Sequence, residues 1–164
     1  MRRILIILIS FCAMCFGCMA QNDLSLKFSS YGQLVCGIAG ESGILVSKDD
    51  GATWTSIDFN VTYEGYYKPL VIKAVAAGDR TMAIAGTDSD GKPAMYFSFD
   101  GNVWSPRELS YTVNGRTFYL DEQPVELEYD EERDRMVMYC ENNTIFYVPN
   151  CSHCNSIKRT EPIE

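Results

Sequence analysis

Ser47-Lys48-Asp49-Asp50-Gly51-Ala52-Thr53-Trp54 is the stretch that decides the fold. β-rich residues stand on both sides of it, 44–47 before and 54–58 after, so it reads as a tight turn between two strands. A shorter copy, Ser98-Phe99-Asp100-Gly101-Asn102-Val103-Trp104, places its tryptophan 50 residues further on. Repetition at that interval marks a stacked β-repeat, most often the blade of a propeller.

The physics of the turn is local. Gly51 and Gly101 can adopt a positive φ without a Cβ clash, as tight strand connections often require. The carboxylates of Asp49 and Asp100 can accept hydrogen bonds from the N–H groups that the turn leaves open. Trp54 and Trp104 are expected to bury their rings beneath the hairpins, contributing roughly 1.5–3 kcal/mol each.

These residues resemble the Asp-box, or BNR, repeat, Ser-x-Asp-x-Gly-x-Thr-Trp, of sialidases and many other secreted propellers. The first copy matches at Ser47, Asp49, Gly51, Thr53 and Trp54. The second matches at Ser98, Asp100, Gly101 and Trp104 and is one residue shorter between aspartate and tryptophan. The resemblance implies a propeller-type scaffold in which the box is a structural turn away from any active site. It does not by itself imply an enzyme.

Residues 1–20 read as an export signal: Arg2-Arg3 is a basic start, and the apolar run 4–11 is too short to span a membrane. Cys18-Met19-Ala20 offers small residues for cleavage before Gln21; the competing reading makes Cys18 the lipidated cysteine of a bacterial lipoprotein, the one route to a membrane. Both readings export the chain, to the periplasm or beyond. Loss of Arg2 and Arg3 takes the balance from 14 basic against 22 acidic residues to 12 against 22, a net −10. Such a surface repels phosphate backbones, so nucleic acid is not an expected partner. Residues 21–164 suffice for one domain with its own core.

Beyond Gln21 the pattern is strand after strand, grouped into units at about 31–60, 69–109 and 124–157. Asn114-Gly115 between two β-rich arms predicts a hairpin with a type I′ turn. The charged run 126–135 suits protection of a sheet edge. The expected fold is all-β: repeated antiparallel meanders resembling propeller blades, too few to close a ring of four to eight.

In the third unit the repeat fails. The positions matching Gly51 and Trp54 are Cys151 and Cys154, in Asn150-Cys151-Ser152-His153-Cys154. A disulfide replacing the box is the favoured reading, worth on the order of 2 kcal/mol for so small a loop. The alternatives are a metal half-site, which needs ligands beyond His153, and a redox pair, which lacks a helix to lower the thiol pKa. Residues 152–157 would then form the outgoing strand, with 158–164 a solvated tail. Cys36 and Cys140 are left with no assigned pairing.

Tested against the sialidases, the chain lacks an Arg-Ile-Pro stretch and its arginines fall mostly in turns and tails. Tyr63-Glu64 is adjacent, but adjacency does not create a nucleophile pair. The best binding candidate is the loop 60–68, where Tyr63, Tyr66 and Tyr67 accompany Glu64; tyrosine faces beside polar groups suit sugars or peptides. The competing reading has those rings covering a sheet edge. The sequence thus points to an exported, non-enzymatic binding module without cofactor or metal, for a glycan or an envelope protein, with a homodimer as one way to close the ring. The alternative is a degenerate or partial sialidase-like glycosidase completed by a partner chain.

Overall fold

Three antiparallel meanders of four strands each, plus one separate hairpin, account for the strands of the computed structural model, which describes residues 27–60, 68–150 and the backbone of 158–160. The first sheet runs β1 Phe28–Tyr31, β2 Leu34–Ala39, β3 Gly43–Ser47 and β4 Thr55–Asp58. The second is β5 Leu70–Gly78, β6 Thr81–Asp88, β7 Pro93–Ser98 and β8 Ser105–Arg107. Next comes the hairpin of β9 Ser110–Val113 and β10 Arg116–Tyr119. The third sheet is β11 Pro124–Asp130, β12 Arg135–Cys140, β13 Ile145–Pro149 and β14 Lys158–Thr160. In each sheet the spatial order equals the chain order, as in a propeller blade. At the hairpin tip Asn114 and Gly115 have φ of 51° and 75°, both positive as a type I′ turn requires.

The second sheet lies between the other two, and its sequence shows why. Residues 74–77 and 82–85 are apolar at every position, the pattern of a strand buried on both faces. Ala74, Ala76, Ala83 and Ala85 face the third sheet and pack with its Met136, Met138, Phe146 and Val148. Val75, Ala77, Met82 and Ile84 face the first sheet, against Cys36, Ile44 and Val46. The alanines keep the middle layer thin, and the larger chains of its neighbours fill the space. Burying a side chain such as Ile84 contributes roughly 1.5–3 kcal/mol.

Three expectations need correction. The first sheet starts with Phe28–Tyr31, which the sequence reading left out: Phe-Ser-Ser-Tyr is too polar and short to announce a strand, and its pairing with 34–37 supplies the order. The stretch read as a solvated tail contains β14, whose Lys158 and Thr160 pair with Tyr147 and Ile145. The tryptophans also differ. Trp104 is 3% exposed and meets Phe59 edge-on at 5.5 Å, whereas Trp54 is only half-buried, with Phe28 edge-on at 6.2 Å. Trp104 belongs to the middle sheet and enters the core shared with the first. Trp54 belongs to the first sheet, beyond which no sheet follows among the described residues.

Candidate functional site

The two repeated turns come first, because they carry most of the residues singled out in the sequence. In the first, Ser47 Oγ accepts from Gly51 N at 2.8 Å and donates to Asp49 Oδ1 at 2.8 Å. Asp49 also receives Thr53 N at 2.8 Å and Thr53 Oγ1 at 2.6 Å. These donors favour the anion, with the Thr53 hydroxyl foremost, and hold the Asp49 carboxyl down at about 2. In the second turn Gly101 N donates to Ser98 Oγ at 2.8 Å, while Asn102 N and Val103 N both donate to Asp100 Oδ1 at 2.8 Å. The Asp100 carboxyl is lowered chiefly by those two backbone donors.

Gly51 and Gly101 have φ of 84° and 72° as expected, and Gly101 is doubly constrained. A Cβ there would stand 2.8 Å from Val46 Cγ1 of the first sheet. Lys48 ties the turns together by donating from Nζ to the Asp100 carbonyl oxygen at 2.8 Å. The aspartates are thus engaged in closing their own hairpins, a structural use of the carboxylate.

The concave site lies elsewhere. β1, β5 and β11, the first strands of the three sheets, converge on a cleft of about 650 Å³. Tyr31, Tyr129, Lys27, Glu126, Glu128 and Glu131 are among its lining residues. Tyr31 crosses from the first sheet to the third, where its hydroxyl donates to Glu131 Oε1 at 2.8 Å. Its ring meets Tyr129 edge-on, with centroids 5.0 Å apart. The carboxylate that accepts the Tyr31 proton pushes that phenol up to about 12. Tyr129 donates to Asp134 Oδ1 at 2.7 Å, and its phenol is also raised, mainly by burial. Lys27 Nζ reaches the carbonyl oxygens of Lys73 and Val125, each at 3.2 Å, joining the first sheet to both others. Three carboxylates therefore share the cleft with one ammonium whose donors already hold backbone oxygens. Among the described residues no arginine lines it.

Sequence reasoning missed this cleft. Tyr31 and Glu131 are 100 residues apart, and nothing local marks either; the one available signal was the acid-rich alternation in 126–131, read only as edge protection. Of the residues proposed from sequence, Ser47, Asp49, Gly51, Thr53 and Trp54 form one turn and Ser98, Asp100, Gly101 and Trp104 the other. Tyr63, Tyr66, Tyr67, Cys151, Cys154 and Cys18 lie outside the described residues. Cys36 and Cys140 belong to cores on opposite faces of the middle sheet, and burial pushes the Cys36 thiol up to about 12.

Fold and sheet order together define an all-β, propeller-like repeat protein. Two similar solved structures bear this out. One, described as YCF48 bound to D1 peptide, superposes with a TM-score of 0.55 at 15% identity over 84% of this chain. The other, YCF48 from Cyanidioschyzon merolae, gives a TM-score of 0.52 at 18% identity over 82%. The chain spans only 40% and 38% of the length of those two proteins. No protein-family model matches the sequence, and no curated protein does.

Proposed function

We propose that the chain is an exported, non-enzymatic protein-interaction module that takes an extended, positively charged peptide in the cleft between β1, β5 and β11. The observation that carries this reading is the cleft itself, with tyrosine rings and Glu126, Glu128 and Glu131 along three first strands. Each of those strands is paired on one side only among the described residues. The carbonyls of Lys73 and Val125 already hold the ammonium of Lys27, the same chemistry that a lysine-rich peptide brings to the cleft. The fold's likeness to a protein captured with a peptide supports the same class of partner.

The glycosidase alternative rests on one feature, the Tyr31–Glu131 pair. A carboxylate beside a tyrosine is also the base such a nucleophile would need, so the pair by itself does not separate hydrolysis from binding. A sialidase-like site also needs arginines for the substrate carboxylate, and the described lining supplies none. That lining favours binding over hydrolysis.

Fluorescence anisotropy with labelled lysine-rich, glutamate-rich and neutral peptides of equal length tests the reading. The lysine-rich peptide should bind, weaken as salt rises, and fail against a Glu126→Gln/Glu128→Gln double variant. Equal affinity for the glutamate-rich peptide overturns it. Export is tested separately by the intact mass of the mature protein. Cleavage before Gln21 and lipidation at Cys18 give distinct masses; retention of residues 1–20 in both cell fractions overturns both.

A further inference from the structure

Two bulges interrupt the first strands of the second and third sheets beside the cleft. In β5 the ladder slips between Ile72 and Ala74, and in β11 between Pro124 and Glu126, so Lys73 and Val125 are the extra residues. Ala74 and Glu126, which follow them, line the cleft, as does Lys27. A bulge leaves its extra residue out of the ladder and re-aims its groups. The carbonyl oxygens of these two extra residues are the pair that Lys27 Nζ reaches, each at 3.2 Å. Lys27 is itself held by its backbone, since Ile38 N donates to its carbonyl oxygen at 3.0 Å. Its exposed side chain can therefore leave without disturbing the first sheet. Among the described residues it forms no ion pair, although Glu126 and Glu128 line the same cleft.

We propose that the two carbonyls form a primary-ammonium subsite of the cleft, and that Lys27 fills it as an internal competitor which an incoming lysine displaces. This rests on the cleft taking a lysine-rich peptide, and it names the place of one lysine of that peptide. Both acceptors are neutral oxygens with no proton to give, so the occupant must donate. An ammonium presents three rotatable donors and serves oxygens of two different strands at once; the rigid planar fork of a guanidinium suits the paired oxygens of one carboxylate. Two carbonyls also fall short of the about six to eight oxygens that a hard cation such as Ca²⁺ gathers. Displacement of Lys27 exchanges like for like at the carbonyls, and the remaining lysines of the peptide add attraction to Glu126 and Glu128.

Fluorescence anisotropy with the lysine-rich peptide reads the competition. Lys27→Met removes the ammonium and keeps the apolar stem. The peptide should then bind about tenfold more tightly, the gain expected when Lys27 fills the subsite about nine-tenths of the time. Lys73→Met removes one charge from β5 while sparing its carbonyl, and should give only a small gain that disappears at high salt. A gain in Lys27→Met no larger than in Lys73→Met overturns the displacement. A second measurement needs no peptide. Lys27→Ala empties the subsite, and butylammonium chloride should raise its thermal midpoint saturably. Tetramethylammonium chloride at equal concentration, with no N–H to donate, should not. Equal responses of Lys27→Ala to the two salts overturn the subsite. Stabilisation by butylammonium, beside a peptide that binds neither wild type nor Lys27→Met, retains the subsite and overturns the peptide reading instead.

Discussion

Tyr129 lies against Gly78: a Cβ on that glycine would stand 2.6 Å from Tyr129 Cδ2 and 2.9 Å from Cγ. The ring thus closes the junction between the second and third sheets, and Tyr31 of the first meets it edge-on. Gly78 is required here for space, as the last residue of β5.

Gly78→Ala is therefore expected to displace Tyr129, because the clash involves the base of the ring, which cannot swing aside without losing the bond to Asp134. Overpacking of this kind costs about 1–3 kcal/mol. Urea denaturation should show that loss, and the lysine-rich peptide should weaken with it. An unchanged midpoint would mean that Tyr129 has another resting place.

A pH dependence follows from Asp49. Its folded carboxyl sits at about 2, below the ordinary 3.8, so the unfolded chain binds the proton more tightly. The turn thus adds stability above pH 4 and loses it as the pH falls through the folded value. The gap in urea midpoint between wild type and Asp49→Ala should be widest at neutral pH and shrink toward pH 2. A gap independent of pH would show that the Thr53 and Ser47 bonds do not depend on the charge.

The two tryptophans give a contrast. Trp104→Ala should cost about 3–5 kcal/mol as a buried aromatic. Trp54→Ala, half-buried in an end sheet, should cost less than half as much. Thermal unfolding of both variants checks the order, and equal losses would place Trp54 under cover in solution.

Much of the architecture was legible because its signals are local. Gly51, Gly101 and Asn114-Gly115 mark turns by the backbone angles they permit, whereas the runs around Ala76 and Ala83 read only as strands, and their cover on both faces comes from the stacking of the sheets. The site was not legible. Tyr31 meets Glu131, and Lys27 reaches Lys73 and Val125, only when separate sheets stack, and single-strand periodicity carries no trace of that. The difference between Trp54 and Trp104 has the same origin: the same turn gains a different environment from its place in the stack.

That difference leads to the state of the protein in solution. On the first sheet, alternation puts Gly37 and Leu45 opposite the core set Cys36, Ile44 and Val46, and Phe28 lies over Gly37 on that outward side. On the third sheet, Tyr139 and Tyr147 likewise face away from Met136, Met138 and Phe146. A second copy can lay its third sheet on the first sheet of its mate at both junctions, closing six sheets under two-fold symmetry. Size exclusion with light scattering should accordingly give twice the mature mass, falling to one copy on Phe28→Glu. A monomer at all concentrations would sink ring closure and leave the peptide cleft open to solvent.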